Sequence, residues 1–287
     1  FGFGLSTTFA AAMAADAIPA ARRGEGIGYF GLGSTVAMAM APAFGLTLLT
    51  DISPIALFLC SGGLSLLAIF TAKACHTPAE QAELPVPAIH SSIRNRLYES
   101  GTGIPAVLTI LFGAAYGSVN TFIAMMASEA GIESAGLFFI VGTCFIFISR
   151  PFGGRLLDQK GAFAVVVPGA VLYLAALLII IRSTSLTMLL GASVFYGLGA
   201  GLMLPALMTW MLNAVRADRR SAASATFYNM LDIGTSTGIL VLGGVAGSIG
   251  YISMYWYVFG IMVLFLVFGV LQHFIRPRER NLEEVED

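Results

Sequence analysis

About nine apolar runs, each long enough for the roughly 20 helical residues that cross a bilayer core, recur along the chain with short polar segments between them. They cover approximately Phe1–Ala20, Ile27–Leu49, Pro54–Ala74, Gly103–Met126, Ala135–Leu157, Phe163–Ile181, Leu186–Leu212, Ala222–Ala246 and Tyr251–Ile275. In lipid each backbone N–H and C=O has to be satisfied inside its own segment, so such runs form helices. They are apolar nearly all round and rich in Gly, Ala and Ser, which predicts helices that pack on one another through small residues as well as facing lipid. Composition agrees, with 57% of residues hydrophobic and 11% charged, against roughly 25% charged in a soluble domain. The expected class is an all-α membrane protein whose first partner is the lipid bilayer.

Charge placement gives an orientation. When alternate connections are assigned to opposite sides, Arg22, Arg23, Lys73, Arg94, Arg96, Arg150, Arg155, Lys160, Arg216, Arg219, Arg220, Arg276, Arg278 and Arg280 fall on one side and Arg182 alone on the other. The excess of Lys and Arg marks the cytoplasmic face, so the C-terminus is expected inside and Phe1 outside. No basic patch offers a surface to nucleic acid. Cys60, Cys75 and Cys144 have no metal-ligand spacing and read as buried free thiols. His76, His90 and His273 share no spacing either, and no Ser/His/Asp or zinc arrangement can be built, so neither an enzyme nor a cofactor is expected.

An internal repeat organises the chain. At an offset of 197, Asp16 meets Asn213, Ile18 meets Val215, Arg22 and Arg23 meet Arg219 and Arg220, and Phe30 meets Phe227. Both copies end one span, turn through an Arg-Arg pair and enter the next, as a parallel repeat does. Three spans precede the turn in the second copy that have no counterpart before the first. The expectation is therefore two like-oriented bundles of six helices, the first lacking three helices and about 100 residues upstream. The division reads as 1–75 for the last part of the first bundle, 76–102 for a cytoplasmic linker, 103–276 for the second bundle and 277–287 for a cytoplasmic tail. Within the linker, Ile89, Ile93 and Leu97 suggest a short amphipathic surface helix.

Residues 150–161, Arg-Pro-Phe-Gly-Gly-Arg-Leu-Leu-Asp-Gln-Lys-Gly, interrupt two apolar runs with three cations, one carboxylate and three glycines. They read as a tight charged turn at the membrane surface, with Asp158 able to place negative charge at a neighbouring helix N-terminus. Gly154, Arg155, Asp158 and Gly161 within it resemble the Gly-x-Leu-x-Asp-x-x-Gly loop of the major facilitator superfamily. That resemblance covers the chain and implies a 12-helix transporter fold, a bacterial plasma membrane setting, and a loop whose Asp latches the outward-open state. Ala162 and Phe163 stand where a basic pair commonly follows. Asp16, Pro19 and Arg23 resemble the end of the fourth helix and its turn. Ala37 to Gly45, with Ala41, Pro42 and Gly45, is similar to the Gly-x-x-x-Gly-Pro-x-x-Gly signature of proton-coupled exporters, alanines replacing its leading glycines.

Gly197-Leu-Gly199-Ala-Gly201 lies inside an apolar run with no preceding strand and reads as close helix packing rather than a dinucleotide loop. Asp232 stands near mid-membrane if its helix starts near Ser221, since eleven residues rise about 16 Å. An acid at that depth needs a polar cavity or a partner. It either carries protons or is a structural acid bonded to a neighbouring helix. Tyr116, Asn120, Thr121, Tyr228 and Asn229 are the expected lining of a substrate cavity. Together these readings indicate an alternating-access secondary transporter, a monomer when full length, that moves a small organic molecule, with proton-coupled export as the leading activity. A nutrient symporter or facilitator and a non-transporting receptor or scaffold remain as alternatives.

Overall fold

The computed structural model describes residues 2–19, 22–48, 52–74, 102–216 and 219–275. Among these every regular element is a helix: α1 (Gly2–Ala17), α2 (Arg23–Thr47), α3 (Pro54–Ala74), α4 (Gly103–Glu129), α5 (Leu137–Lys160), α6 (Phe163–Arg182), α7 (Leu186–Asn213), α8 (Arg220–Ile249) and α9 (Tyr251–Ile275). Each falls on one of the expected runs. Seven, α3 to α9, are long and apolar enough to cross a membrane. α1 has 16 residues, about 24 Å of helix at 1.5 Å per residue. The expected tail 277–287, and all of the expected linker except Thr102, lie outside the described residues, as do the Ile89–Leu97 helix, Cys75, His76 and His90.

The charged stretch 150–161 is not the loop that its composition suggests. α5 continues through Arg150, Pro151, Gly154, Arg155 and Asp158 to Lys160, and only Gly161 of the motif stands beyond it. Proline at position 151 removes one N–H donor, but helices packed in lipid tolerate this where neighbours and polar side chains re-satisfy the backbone. Beside it, Ser149 Oγ donates to the Ile146 carbonyl at 3.0 Å. The helix stops where Gly161 takes φ +81°, a conformation strained for any residue with a Cβ, and Gly250 at φ +85° ends α8 in the same way.

Packing is built on small residues, because lipid tails are as apolar as leucine and attraction between helices has to come from close backbone approach. α8 lies on α4 with Gly234 over Ile110, Gly238 over Ala114, and Gly113 against Leu231 and Thr235. Thr235 Oγ1 donates to the Gly113 carbonyl at 3.2 Å. The Gly197-Leu-Gly199-Ala-Gly201 segment serves two neighbours at once: Gly197 and Gly201 meet α5 at Gly142 and Ile146, whereas Gly199 meets α6 at Gly169 and Tyr173. Phe112, Phe138, Tyr173, Tyr255 and Phe265 fill the interior of this α4–α9 group. α2 lies against α5 and α7, and α1 against α8. α3 contributes nothing to that interior, with Phe58, Leu59 and Phe70 each about 70% exposed. Cys60 on α3 and Cys144 on α5 are free and exposed, correcting the expectation of buried thiols. They sit on outward faces, where a thiol is apolar enough to meet lipid.

Candidate functional site

Two clusters of polar residues sit where α2 meets the α4–α9 group, and a third lies within that group. The first is at one end of the α2–α5 seam. Helix N-termini leave N–H groups without intrahelical partners, and Glu25 stands in the first turn of α2. Its N–H donates to Asp158 Oδ2 at 2.9 Å, so a carboxylate from the last turn of α5 meets the positive end of the α2 dipole. The Glu25 side chain turns back toward α5, where Arg155 Nε donates to Oε1 at 3.0 Å. Tyr29 Oη also donates to that oxygen, at 3.4 Å. Gly154 is buried, and Gly161 ends the helix just beyond the contact.

The second cluster joins the two Arg-Arg turns. Arg23, buried at the start of α2, donates through Nη1 to Asn213 Oδ1 at the end of α7. Asn213 is the repeat counterpart of Asp16, so the first copy's arginine reaches into the second copy's turn. Arg22 is exposed, whereas Arg219 and Arg220 are half-buried at the N-terminus of α8. Asp16 belongs to α1, and Ala41, Pro42 and Gly45 belong to α2; the side-chain surroundings of all four lie outside what is described.

The third cluster lies at mid-depth. Tyr116 and Asn120 come together on α4, as their spacing of four requires. Asn120 Nδ2 donates to Tyr196 Oη on α7 at 2.9 Å and to the Tyr116 carbonyl at 2.8 Å. The Tyr116 and Tyr196 rings stack at 6.3 Å, and Phe112, Phe138 and Tyr173 close the aromatic group around them. Tyr228 of α8 is half-buried, while Thr121 and Asn229 are exposed and stand apart from the stacked pair.

Two further residues complete the mid-depth picture. Asp232 is one turn beyond Tyr228, on the exposed side of α8, away from the face that Leu231, Gly234 and Gly238 press on α4. Among the described residues it makes no hydrogen bond or ion pair. The partner on a neighbouring helix, one of its two expected explanations, is therefore not found there. Arg150 was expected at the membrane surface, but it is buried about ten residues up α5 from Lys160, roughly 15 Å at 1.5 Å per residue. It borders Gly28 and Gly31 of α2, and its charge acts on the hydroxyl groups of Tyr116 and Tyr228. Sequence reading missed both Arg150 and Tyr196. The available signal for Arg150 was its distance from Gly161, three helical turns, once Pro151 is allowed inside a span.

The arrangement can hold two groups of helices together at one end of a seam and present aromatic and polar groups farther up it. The family model of the Major Facilitator Superfamily matches residues 1–163 and again residues 105–286. No curated protein sequence matches the chain. Among solved structures, the crystal structure of the human organic anion transporter MFSD10 (TETRAN) is similar, with a TM-score of 0.78 at 17% identity, covering 92% of this chain and 67% of that one. At that identity the likeness concerns the fold. The match of the family model over nearly all of the sequence carries membership, and this chain belongs to the Major Facilitator Superfamily.

Proposed function

We propose that this membrane transporter exports a small organic molecule by alternating access, in exchange for protons, with Asp232 as the group that takes up and releases the proton. The observation that carries this reading is a carboxylate midway along the spanning helix α8 with no partner among the described residues. An intramembrane acid is costly to keep, and it persists where it faces water or moves charge. Coupling requires that its protonation bias which side the cavity faces. The contact of Asp158 with the α2 N-terminus supplies a polar joint suited to closing one side and releasing it. In this reading the Arg-bearing turns face the cytoplasm, residues 76–102 link two bundles, and the full-length protein works as a monomer in a bacterial plasma membrane.

The test is Asp232→Asn, a neutral mimic of the protonated acid, in inverted vesicles against a panel of labelled organic acids, bases and neutral solutes. Counterflow needs no net proton movement, so it should survive the substitution while uptake driven by a proton gradient is lost. Equal loss of both, or retention of both, removes Asp232 as the proton carrier. Dependence of substrate entry on protons moving in the same direction would turn the reading from exporter to symporter.

A further inference from the structure

The guanidinium of Arg150 is explained neither by the joint at the seam's end nor by the proposed proton-carrying acid. Arg150 is 7% exposed, and among the described residues neither its Nε nor its Nη1 has a hydrogen-bond partner. A guanidinium has five N–H donors and keeps its charge under all ordinary conditions, so burying it without a counter-charge is among the more unfavourable arrangements a fold can contain. Among the described residues no carboxylate forms an ion pair with it. α2 presents Gly28 and Gly31, α4 presents Tyr116, and α8 presents Tyr228. Asp232, although one turn from Tyr228, forms no ion pair with Arg150. Its absence matters, because an internal ion pair would leave the guanidinium no capacity for a ligand.

The same surroundings suit a ligand that brings the missing charge. Glycine at position 31 leaves the guanidinium bordered by backbone instead of a side chain, since a Cβ there would overlap Nη1, while Gly28 faces the Arg150 carbonyl. The phenols of Tyr116 and Tyr228, on different helices, lie within electrostatic range of the same cation, and a hydroxyl there can donate to an oxyanion that the guanidinium grips with parallel N–H bonds. The aromatic group behind Tyr116, made of Phe112, Tyr196 and Phe138, gives an apolar wall for the rest of such a molecule. A single guanidinium balances a single negative charge. Lipid headgroups are an unsuitable source of that charge, because Arg150 stands about 15 Å of helix from the Lys160 end of α5.

We propose that Arg150, assisted by the Tyr116 and Tyr228 hydroxyls, binds the carboxylate or sulfonate of a small organic monoanion, and that this anion class is the transported substrate. The assignment deepens the transport reading and is independent of direction and of proton coupling. It also accounts for a cation held at mid-depth where the fold itself gains nothing from it.

The experiment measures thermal stability of the purified protein with benzoate and benzenesulfonate, beside the uncharged benzenesulfonamide and the cationic benzylamine. The two anions should stabilise the protein and the other two should not. In Arg150→Gln the apparent affinity for both anions should fall about ten- to a hundred-fold, the loss expected when hydrogen bonds to a charged group are removed. Without ligand, Arg150→Gln should melt at or above the temperature of the unsubstituted protein, since an unpaired buried charge has gone. Equal stabilisation by benzenesulfonamide, no stabilisation by either anion, or full anion binding by Arg150→Gln overturns the assignment. So does a lower melting temperature in Arg150→Gln with anion affinity unchanged, the signature of a purely structural arginine. Should Arg150→Gln fail to fold, Tyr228→Phe removes a hydroxyl alone and should weaken anion binding several-fold, whereas unchanged binding counts against the site. Flux of benzenesulfonate, which stays ionised, is read in vesicles in parallel. Arginine-dependent binding with no flux keeps the binding site and removes its role in transport.

Discussion

Helix α5 meets two neighbours in two different ways. Against α7 it packs backbone to backbone: Gly197 lies on the Gly142 carbonyl, and a Cβ at Gly201 would come within 2.9 Å of the Ile146 carbonyl. Against α2 it touches through charge, with Asp158 on the Glu25 N–H, Arg155 on the Glu25 carboxylate, and Arg150 beside glycines with no ion pair among the described residues. Backbone contacts of the first kind forfeit dispersion steeply with small separations, so that seam has no intermediate positions. Polar contacts of the second kind can be exchanged for water or ligand at modest cost. In the proposed alternating-access cycle the first seam would serve as a fixed joint and the second as a separable one.

The largest expected effect comes from filling both seams with the same atom. Gly197→Ala puts a methyl group into the Gly142 backbone, which cannot move without parting α5 from α7, so destabilisation should reach the upper end of the roughly 1–3 kcal/mol seen when cores are overpacked. Gly28→Ala meets the Arg150 carbonyl at 3.2 Å, a contact relieved by a shift of a few tenths of an ångström. Melting curves and the yield of monodisperse protein in detergent would separate the two. Similar losses in both variants would erase the distinction between a fixed and a separable seam.

Much of this contrast was legible in the sequence, and the reason for the rest is physical. Span positions, the Gly197–Gly201 packing segment and the helical class follow from run length and small-residue content, which lipid makes decisive. The extent of α5 did not, because Arg, Pro and paired Gly break helices in water, and sequence signals for helix ends were calibrated by that chemistry. Treating position 150 as a surface cation hid a charged residue buried inside the helix group. Tyr196 was hidden for a different reason. Its bond with Asn120 joins positions 76 residues apart, and periodicity within a single run reveals which residues share a face, never which face of another helix they meet. For the same reason Thr121 and Asn229, neighbours in sequence of residues that do converge, are exposed instead.

A smaller effect is expected from the end of the separable seam. Asp158→Asn keeps an oxygen that can accept from the Glu25 N–H and removes only the charge, so the change isolates the electrostatic part of the contact. A carboxylate at a helix N-terminus contributes about 0.3–1 kcal/mol, and up to about 2 kcal/mol when partly buried. For an equilibrium balanced between two states, each 1.4 kcal/mol is a factor of about ten. Transport should slow, and the population should move toward the state in which α2 and α5 part at this end. Cysteine labelling from both sides, in a background where Cys60 and Cys144 are replaced because both are exposed, would register the shift. Unchanged labelling and turnover would leave Asp158 as a simple helix connector.

The smallest effect belongs to Arg155. Its bond to Glu25, at 3.0 Å, is nearly as short as the Asp158 contact at 2.9 Å, but the arginine side chain is 62% exposed. Water and salt screen an exposed pair, and holding two long side chains in one arrangement offsets most of what attraction remains. Arg155→Gln should therefore leave the melting temperature nearly unchanged and shift the labelling far less than Asp158→Asn does. Ionic strength sharpens the comparison, because the screening length falls from about 10 Å at 0.1 M salt to about 3 Å at 1 M. Whatever Arg155 contributes should vanish over that range, whereas the part-buried contact of Asp158 with a backbone N–H should persist. If both substitutions lost their effect together in high salt, the end of the seam would be held by surface charge alone, and the helix-terminus contact would have no separate role in closing it.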